Sequence, residues 1–389
     1  MNGMSDYLSP VARNIPPSGI RKFFNAAEGS KDVISLGVGE PDFTTPRHVI
    51  EACEQALDRG QTMYTPNEGL LELREEIARY LHGSFHVKYE PADEVLVTVG
   101  GSEAIDLAFR ALIAPGDEII VPVPNYIAYT PITHLNGGVA VEVETFAKDG
   151  FKLTAEALRK AITPRSKLLL VSYPNNPTGA IMTYEDWLPI AKLVEEHDLI
   201  VVSDEIYAEL TYEQTHVSFA SLPGMKERTL LISGFSKAFA MTGWRIGYAC
   251  GNYAIIAAMR RIHQYSVLCA PIIGQIAAIQ SLRHGLDDKN EMVAAYNQRR
   301  RVFVQGLQDI GFACREPEGA FYAFPSISVT GLDSQQFAER LLREAKVATV
   351  PGNVFGPGGE GFIRCSYAAS LTSLMGALER MDRWVRTIR

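Results

Sequence analysis

Apolar residues recur on two different periods along this chain, and the switching between them predicts its architecture. Apolar positions at helical spacing run from Arg47 to Leu57 and again from Leu71 to Leu81, so two amphipathic helices are expected there. VLVTV (95–99) then leads through Gly100 and Gly101 into a segment whose Ile105, Ala108, Phe109 and Leu112 share one helical stripe. Short apolar runs follow at EIIVP (118–122), VAVEV (139–143), KLLLVSY (167–173), LIVVS (199–203), TLLIS (229–233) and IGYAC (246–250). Several lack clean alternation, which suits strands covered on both faces in a largely parallel sheet. LPIAKLVEEH (188–197) reads as a crossover helix between two of them.

The pattern predicts a large three-layer α/β/α domain with a mainly parallel sheet, followed by a change of texture. From about Asp288 a long charged helix to 309 is expected, then GFACR and AFYAFP, a helix near 334–345, KVATVPG, a strand at 361–367 and a terminal helix. That mixture is α+β in character and predicts a smaller domain. The expected division is an N-terminal arm with part of the small domain at 1–45, a large ligand-binding domain at 46–290, and a small C-terminal domain at 291–389.

Composition narrows the class of ligand. A chain of 389 residues, 47% of them hydrophobic, can support two cores. Its 37 basic against 45 acidic residues give a net charge of -8, so no broad positive field is offered to nucleic acid, which is not an expected partner. The five cysteines (Cys53, Cys250, Cys269, Cys314 and Cys365) are scattered without metal-ligand spacing, so no metal site and a reducing compartment are expected. MNGMSDYLSPVARNIPP lacks an apolar signal core, and no run reaches the roughly 18 apolar residues of a membrane span. The expectation is a cytoplasmic protein without a membrane partner.

Candidate chemistry sits where strands end. Lys237 follows the strand at 229–233 in SGFSKAFAMTGWRIGY, with Arg245 eight residues on. A lysine is ordinarily a solvated surface group; if both cations face one cleft, burial and the neighbouring charge lower the amine's pKa. Asp204 and Glu205 follow LIVVS and read either as a helix cap with a first-turn acid or, for Asp204, as the partner of a protonated ring nitrogen. GGSEA (100–104) is either a flexible turn or a helix start whose N–H groups and Ser102 hydroxyl hold a phosphate. Arg364, inside the expected strand of GFIRCSYA, is either a structural ion pair or a fork for a two-oxygen ligand.

Taken in order, GVGEPDF, YTPNEG, GGSEAI, PNYIAY, SYPNNPTGA, SDEIYAEL, GFSKAFAMTGWRIGY, PEGAFYAFP and PGNVFGPGGEGFIRCSYA give the chain a resemblance over nearly its full length. It resembles the class I/II aminotransferases, fold type I enzymes dependent on pyridoxal 5'-phosphate in the aspartate aminotransferase superfamily. It is most similar to the prokaryotic branch with aspartate, aromatic and N-acetyl-diaminopimelate enzymes; SGIRKF and HQYSVLCAP add to the likeness. The resemblance implies that Lys237 is the Schiff-base lysine, that Asp204 pairs with the pyridine nitrogen, and that Tyr207 and Asn176 donate to the phenolate oxygen. It implies that Arg245, Ser102 and the backbone at Gly101 bind phosphate and that Tyr126 stacks on the ring. Tyr64 would reach the phosphate of a neighbouring subunit, making a homodimer with shared sites, and Arg364 with the Gly39 backbone would clamp the substrate α-carboxylate. A cis bond before Pro177 is also a frequent family feature.

Two positions depart from the family pattern. Where a phosphate-binding serine often stands three residues before the lysine, this chain has Gly234, leaving Ser233 or Ser236 as the substitute. Where the family's aspartate enzymes carry an arginine for the distal carboxylate, IHQYS offers only His263. The reaction expected is ping-pong transfer from an L-amino acid, aromatic or aspartate, to 2-oxoglutarate, with Phe24 and Tyr126 able to accommodate a ring. N-acetyl-diaminopimelate transamination and β-elimination at a C–S bond are the alternatives.

Overall fold

The computed structural model describes residues 7–20 and 32–388. Seven strands form the large sheet: β1 (Val95–Thr98), β2 (Glu118–Val123), β3 (Val139–Glu144), β4 (Ser166–Ser172), β5 (Ile200–Asp204), β6 (Thr229–Gly234) and β7 (Gly247–Cys250). Their order is β1-β7-β6-β5-β4-β2-β3, with β7 the single reversed strand. All seven match short apolar runs read from the sequence.

The missing alternation has a direct cause. Ile119, Val121, Leu168, Leu170, Val202, Leu230 and Ile232 pack on one face against the helices Gly100–Leu112 and Tyr253–Ser266. Their neighbours Ile120, Leu169, Val171 and Val201 pack on the other, with Trp187, Ile190 and Val194 of helix Tyr184–Glu196. Both faces are therefore dry, and each such side chain contributes about 1.5–3 kcal/mol of transfer free energy. Only the edge strand β3 alternates, presenting Glu142 and Glu144 to its exposed side.

The helix expected at 188–197 begins earlier, at Tyr184. Thr183 and Asp186 form a reciprocal capping box that fixes its start, while Pro189, in the second turn, forgoes the hydrogen bond to the carbonyl four residues before it. Helices Tyr129–Leu135, Ala155–Ala161, Tyr253–Ser266 and Ile272–His284 were not foreseen in the pattern. The last of these is buried around most of its circumference, so it carries no amphipathic stripe to read.

The smaller unit is α+β. Its antiparallel sheet places β10 (Ile363–Ser366) between β8 (Tyr322–Ala323) and β9 (Val350–Pro351). The terminal helix Leu371–Ile388 packs on the long helix Leu286–Ile310, and Ile34–Ser35 pairs in parallel with Val347–Ala348. Residues 334–345 divide into an α-helical part to Arg340 and a wider turn from Leu341 to Ala345. Among the described residues, no helix is long and apolar enough to cross a membrane.

Candidate active site

Parallel strands bring their carboxyl ends to one edge of a sheet, where ligands of open α/β folds bind. Here β4 runs into Asn176, β5 ends on Asp204, and β6 leads to Ser236 and Lys237. Because β7 is reversed, its amino end lies at the same edge, which brings Arg245 to the group. Gly39, Gly101, Ser102, Tyr126, Asn176, Asp204, Tyr207, Ser236, Lys237, Arg245 and Arg364 line a single cavity of about 320 Å³. Tyr64, to which the resemblance gives a role on a neighbouring phosphate, lies outside it, 83% exposed on the surface.

Close backbone packing shapes one end of this cavity. A Cβ on Gly247 would stand 2.4 Å from the carbonyl carbon of Gly100, and one on Gly234 would stand 2.9 Å from Gly247 Cα. No side chain fits at 234, which explains the departure from the serine pattern. Of the two candidate substitutes, Ser236 lines the cavity, whereas Ser233 donates to the Glu205 carbonyl at 3.2 Å and lies outside it. Gly100, at φ +74°, passes so close to Arg245 that a Cβ would meet its Nη2 at 2.6 Å. The result is a guanidinium against the first turn of a helix, an arrangement suited to a phosphate.

Asp204 is buried with its carboxylate held on both oxygens. Tyr129 Oη donates to Oδ2 at 2.7 Å and the Ile206 amide donates to Oδ1 at 3.1 Å. Burial raises its pKa to about 6 despite those bonds, so this is a carboxyl group short of a positive partner. Among the described residues no helix directly follows β5, so the helix-cap reading is not met: Asp204 accepts from the Ile206 amide in a turn, and its side chain faces the cavity. Tyr129 was missed by sequence reasoning; its position in PNYIAY, three residues after Tyr126, was the available signal, and the two rings meet edge to face at 5.6 Å.

Lys237 Nζ donates to the Gly39 carbonyl at 2.6 Å. Burial lowers its pKa to about 8; Glu40 opposes the shift, while Arg364 and Arg245 add to it. Both causes anticipated from sequence are present, with desolvation the larger and the neighbouring guanidinium groups the smaller.

Arg364 is 2% exposed and reaches across from the small sheet. Its Nη1 donates to Asn176 Oδ1 at 2.8 Å and its Nη2 to the Gly37 carbonyl at 2.6 Å, while the guanidinium lies 4.5 Å from the Tyr322 ring centroid. No carboxylate accompanies it in these contacts, and its Nε is buried without a partner. A buried cation left in this state is arranged for an anionic ligand rather than for a structural ion pair. Tyr322, also absent from the sequence reading, pairs its hydroxyl with that of Tyr207 at 2.7 Å.

His263 does not serve as a substitute for the distal arginine. It is fully buried, with Nδ1 2.8 Å from Glu103 Oε1 on the helix behind the cavity, and it does not line the site. The substitution fails because the segment at 263 is an interior face of helix Tyr253–Ser266. Phe24 lies outside the described residues. The peptide bond before Pro177 is cis.

The donor set has a definite complement: an amine for an aldehyde carbon, a carboxylate for a protonated ring nitrogen, hydroxyl and guanidinium groups for a phosphate, and a second guanidinium for a carboxylate. Pyridoxal 5'-phosphate with an amino acid satisfies all four, and the orphaned Nε of Arg364 and the carboxylate of Asp204 are the groups it would satisfy. The sequence profile described as aminotransferase class I and II matches residues 31–378. The chain belongs to that family. It is 52% identical to the YugH protein of Bacillus subtilis (strain 168) over 98% of this chain and 99% of the other. It is 44% identical to an aspartate aminotransferase of Pyrococcus abyssi, covering 98% of each chain. The crystal structure of an aromatic aminotransferase from Pyrococcus horikoshii OT3 superposes with a TM-score of 0.90 at 43% identity, over 94% of this chain and 99% of that one. This aminotransferase is accordingly a pyridoxal-phosphate-dependent enzyme of fold type I, with a large α/β and a smaller α+β domain.

Proposed function

We propose that the enzyme transfers the amino group of a broad set of L-amino acids to 2-oxoglutarate, using aromatic donors at least as well as aspartate. The observation that carries this reading is the inventory of cavity cations: among the described residues these are Lys237, Arg245 and Arg364. With Lys237 and Arg245 committed to the cofactor, Arg364 remains for the α-carboxylate common to all amino acids. Ile20, Tyr126 and Tyr322 supply apolar surface in the same cavity, which favours a ring over a second carboxylate. The far carboxylate of 2-oxoglutarate would then be met largely by solvent.

When bound, pyridoxal 5'-phosphate supplies an electron-withdrawing ring that accepts the charge left when the Cα proton departs. Arg245, Ser102, Ser236 and the Gly101 amide would hold its phosphate, and Tyr126 would stack on the ring. Asp204 would keep the ring nitrogen protonated through its charge. Asn176 uses Oδ1 for Arg364, which leaves its Nδ2 hydrogens, with Tyr207 Oη, for the phenolate oxygen. Lys237 Nζ would hold the cofactor covalently, then, once displaced by the donor amine, remove the proton from substrate Cα; its lowered pKa keeps a usable fraction unprotonated at neutral pH. Arg364 would fix the α-carboxylate so that the Cα–H bond faces that amine.

A panel of single half-reactions tests the donor preference. Mixed separately with phenylalanine, tyrosine, aspartate, glutamate, kynurenine and N-acetyl-diaminopimelate, the holoenzyme should lose its cofactor absorption band with the aromatic donors at least as efficiently as with aspartate. A preference for aspartate above tenfold in rate over apparent binding constant overturns this ranking, since one polar contact is worth 10- to 100-fold, order of magnitude about 1–3 kcal/mol. Release of pyruvate and ammonia from a cysteine conjugate would identify elimination instead.

We also propose a homodimer in which Tyr64 completes the neighbouring site. Tyr64 stands beside exposed Met63, and Asn67 Nδ2 ties the same segment to Leu268 next to exposed Tyr265, which supports a surface made to be covered. Tyr64→Phe should weaken cofactor retention, read as a several-fold rise in its dissociation constant, without changing the reaction. Full activity from a monomer in sedimentation measurements overturns the shared-site reading. The five free cysteines, four of them buried, support a reducing, cytoplasmic location.

A further inference from the structure

Directly behind Asp204 lies a second buried acid that the proposed chemistry does not use. Glu205 is 2% exposed and points to the opposite face of the chain from the cavity. Its Oε1 accepts from Ser203 Oγ at 2.8 Å and from Ser218 Oγ at 2.9 Å; its Oε2 faces His216 Nε2 at 2.9 Å. A carboxylate has no proton to give, so Nε2 of His216 is the donor in that contact. The backbone of Glu205 is tied as firmly: its amide donates to the Ile232 carbonyl at 2.7 Å, and its own carbonyl accepts from Ser233 Oγ. One residue thus joins the end of β5, which carries Asp204, to the end of β6, which leads to Lys237.

We propose that Glu205 and His216 are positioning residues that form a buried ion pair and set the net charge felt at Asp204 and at the cofactor it holds. A carboxylate adjacent in sequence to Asp204 makes that site more negative, and a protonated imidazole against it cancels the effect. The other groups around the pair leave these two in control. Tyr89, and Tyr248 and Cys250 of β7, lie within electrostatic reach of Glu205, and burial pushes each of them up so that they stay neutral near pH 7. Glu209, which lines the same small cavity, is paired with Lys289 and Tyr80. The His216 ring also meets the Phe85 ring at right angles, with centroids 5.4 Å apart. The His216 and Glu205 side chains are 5% and 3% exposed, so their field is poorly screened by solvent.

The proposal rests on the reading of the cavity as a cofactor site, and its test separates the two. Parent, Glu205→Gln, His216→Gln and the double variant would be loaded with pyridoxal phosphate, and the pH midpoint of the bound cofactor's absorption change measured. Whichever cofactor group takes up the proton, losing a negative neighbour lowers the midpoint and losing a positive one raises it. Glu205→Gln should shift it down and His216→Gln up, each by about 0.5–1 pH unit, a roughly three- to tenfold change in the proton equilibrium, with the double variant near the parent. Ser218→Ala, which removes one hydrogen bond and no charge, should lower thermal stability and leave the midpoint unchanged. Unchanged midpoints, or shifts of one sign in both single variants, mean that the pair is merely structural and overturn the proposal. Should Glu205→Gln fail to fold, His216→Gln decides alone: an upward shift supports the ion pair and no shift refutes it. A parent that shows no cofactor band overturns the site reading itself.

Discussion

Lys237→Ala is expected to abolish both the cofactor's characteristic absorption and transamination, lowering turnover by about 10⁴-fold or more. Two functions leave with one amine: the covalent hold on the cofactor and the base that moves the Cα proton, of which general-base catalysis alone contributes about 10²–10⁴-fold. The measurement is a single-turnover half-reaction with the reconstituted variant, and near-parental rates sink the assignment. The same side chain carries a stability cost that can be tested without cofactor. Its pKa is about 8 in the folded chain against an ordinary 10.5, so between those values the unfolded chain binds more protons and stability rises with pH through that window. Below pH 8 the full penalty is present. Lys237→Met, which keeps the length of the chain and discards the charge, should therefore stabilise the cofactor-free protein at pH 7 by about 2–4 kcal/mol and by progressively less above pH 8. Equal denaturation midpoints for parent and Lys237→Met across pH 6–10 would remove burial as the cause of the lowered pKa.

The large sheet was legible in the sequence because its strands are dry on both faces and therefore read as unbroken apolar runs. Their order was not: nothing in IGYAC announces that β7 is reversed, yet that reversal is what carries Arg245 to the carboxyl ends of β4, β5 and β6. The site residues were legible to the extent that they sit at strand ends within punctuated segments such as NNPTG and GGSEA. The side chains that hold them were harder to find. Tyr129 and Tyr322 look like ordinary core aromatics, both being almost wholly buried, and only the three-dimensional structure gives their hydroxyls to Asp204 and Tyr207. Glu205 and His216 are eleven residues apart, and the loop that joins β5 to β6 alone brings them together. Conversely, His263 sits at a suggestive sequence position but is turned into the core by its helix, because a residue's place in an aligned segment does not fix which face of the helix it occupies.

Asp204→Asn should slow proton abstraction by about 10²–10³-fold while changing substrate affinity far less. The substitution preserves shape: the amide oxygen can still accept from the Ile206 N–H, and the amide nitrogen can face Tyr129 Oη, whose hydroxyl accepts as readily as it donates. What disappears is the negative charge, and with it the reason for a bound ring nitrogen to stay protonated and draw charge from Cα. In the cofactor-free chain the charge is a liability, since burial holds the pKa at about 6 against an ordinary 3.8. Between those values the folded chain binds more protons than the unfolded one, so this group's contribution to stability falls as pH rises from about 4 to 6 and stays at its lowest above that. Asp204→Asn should thus stabilise the cofactor-free protein at pH 7 while disabling the loaded enzyme, and the two effects together distinguish an electrostatic role from damage to the fold. Half-reaction rates equal to the parent's reject the role for Asp204. A variant destabilised without cofactor at pH 7 shows instead that its hydrogen bonds, and not its charge, dominate the site.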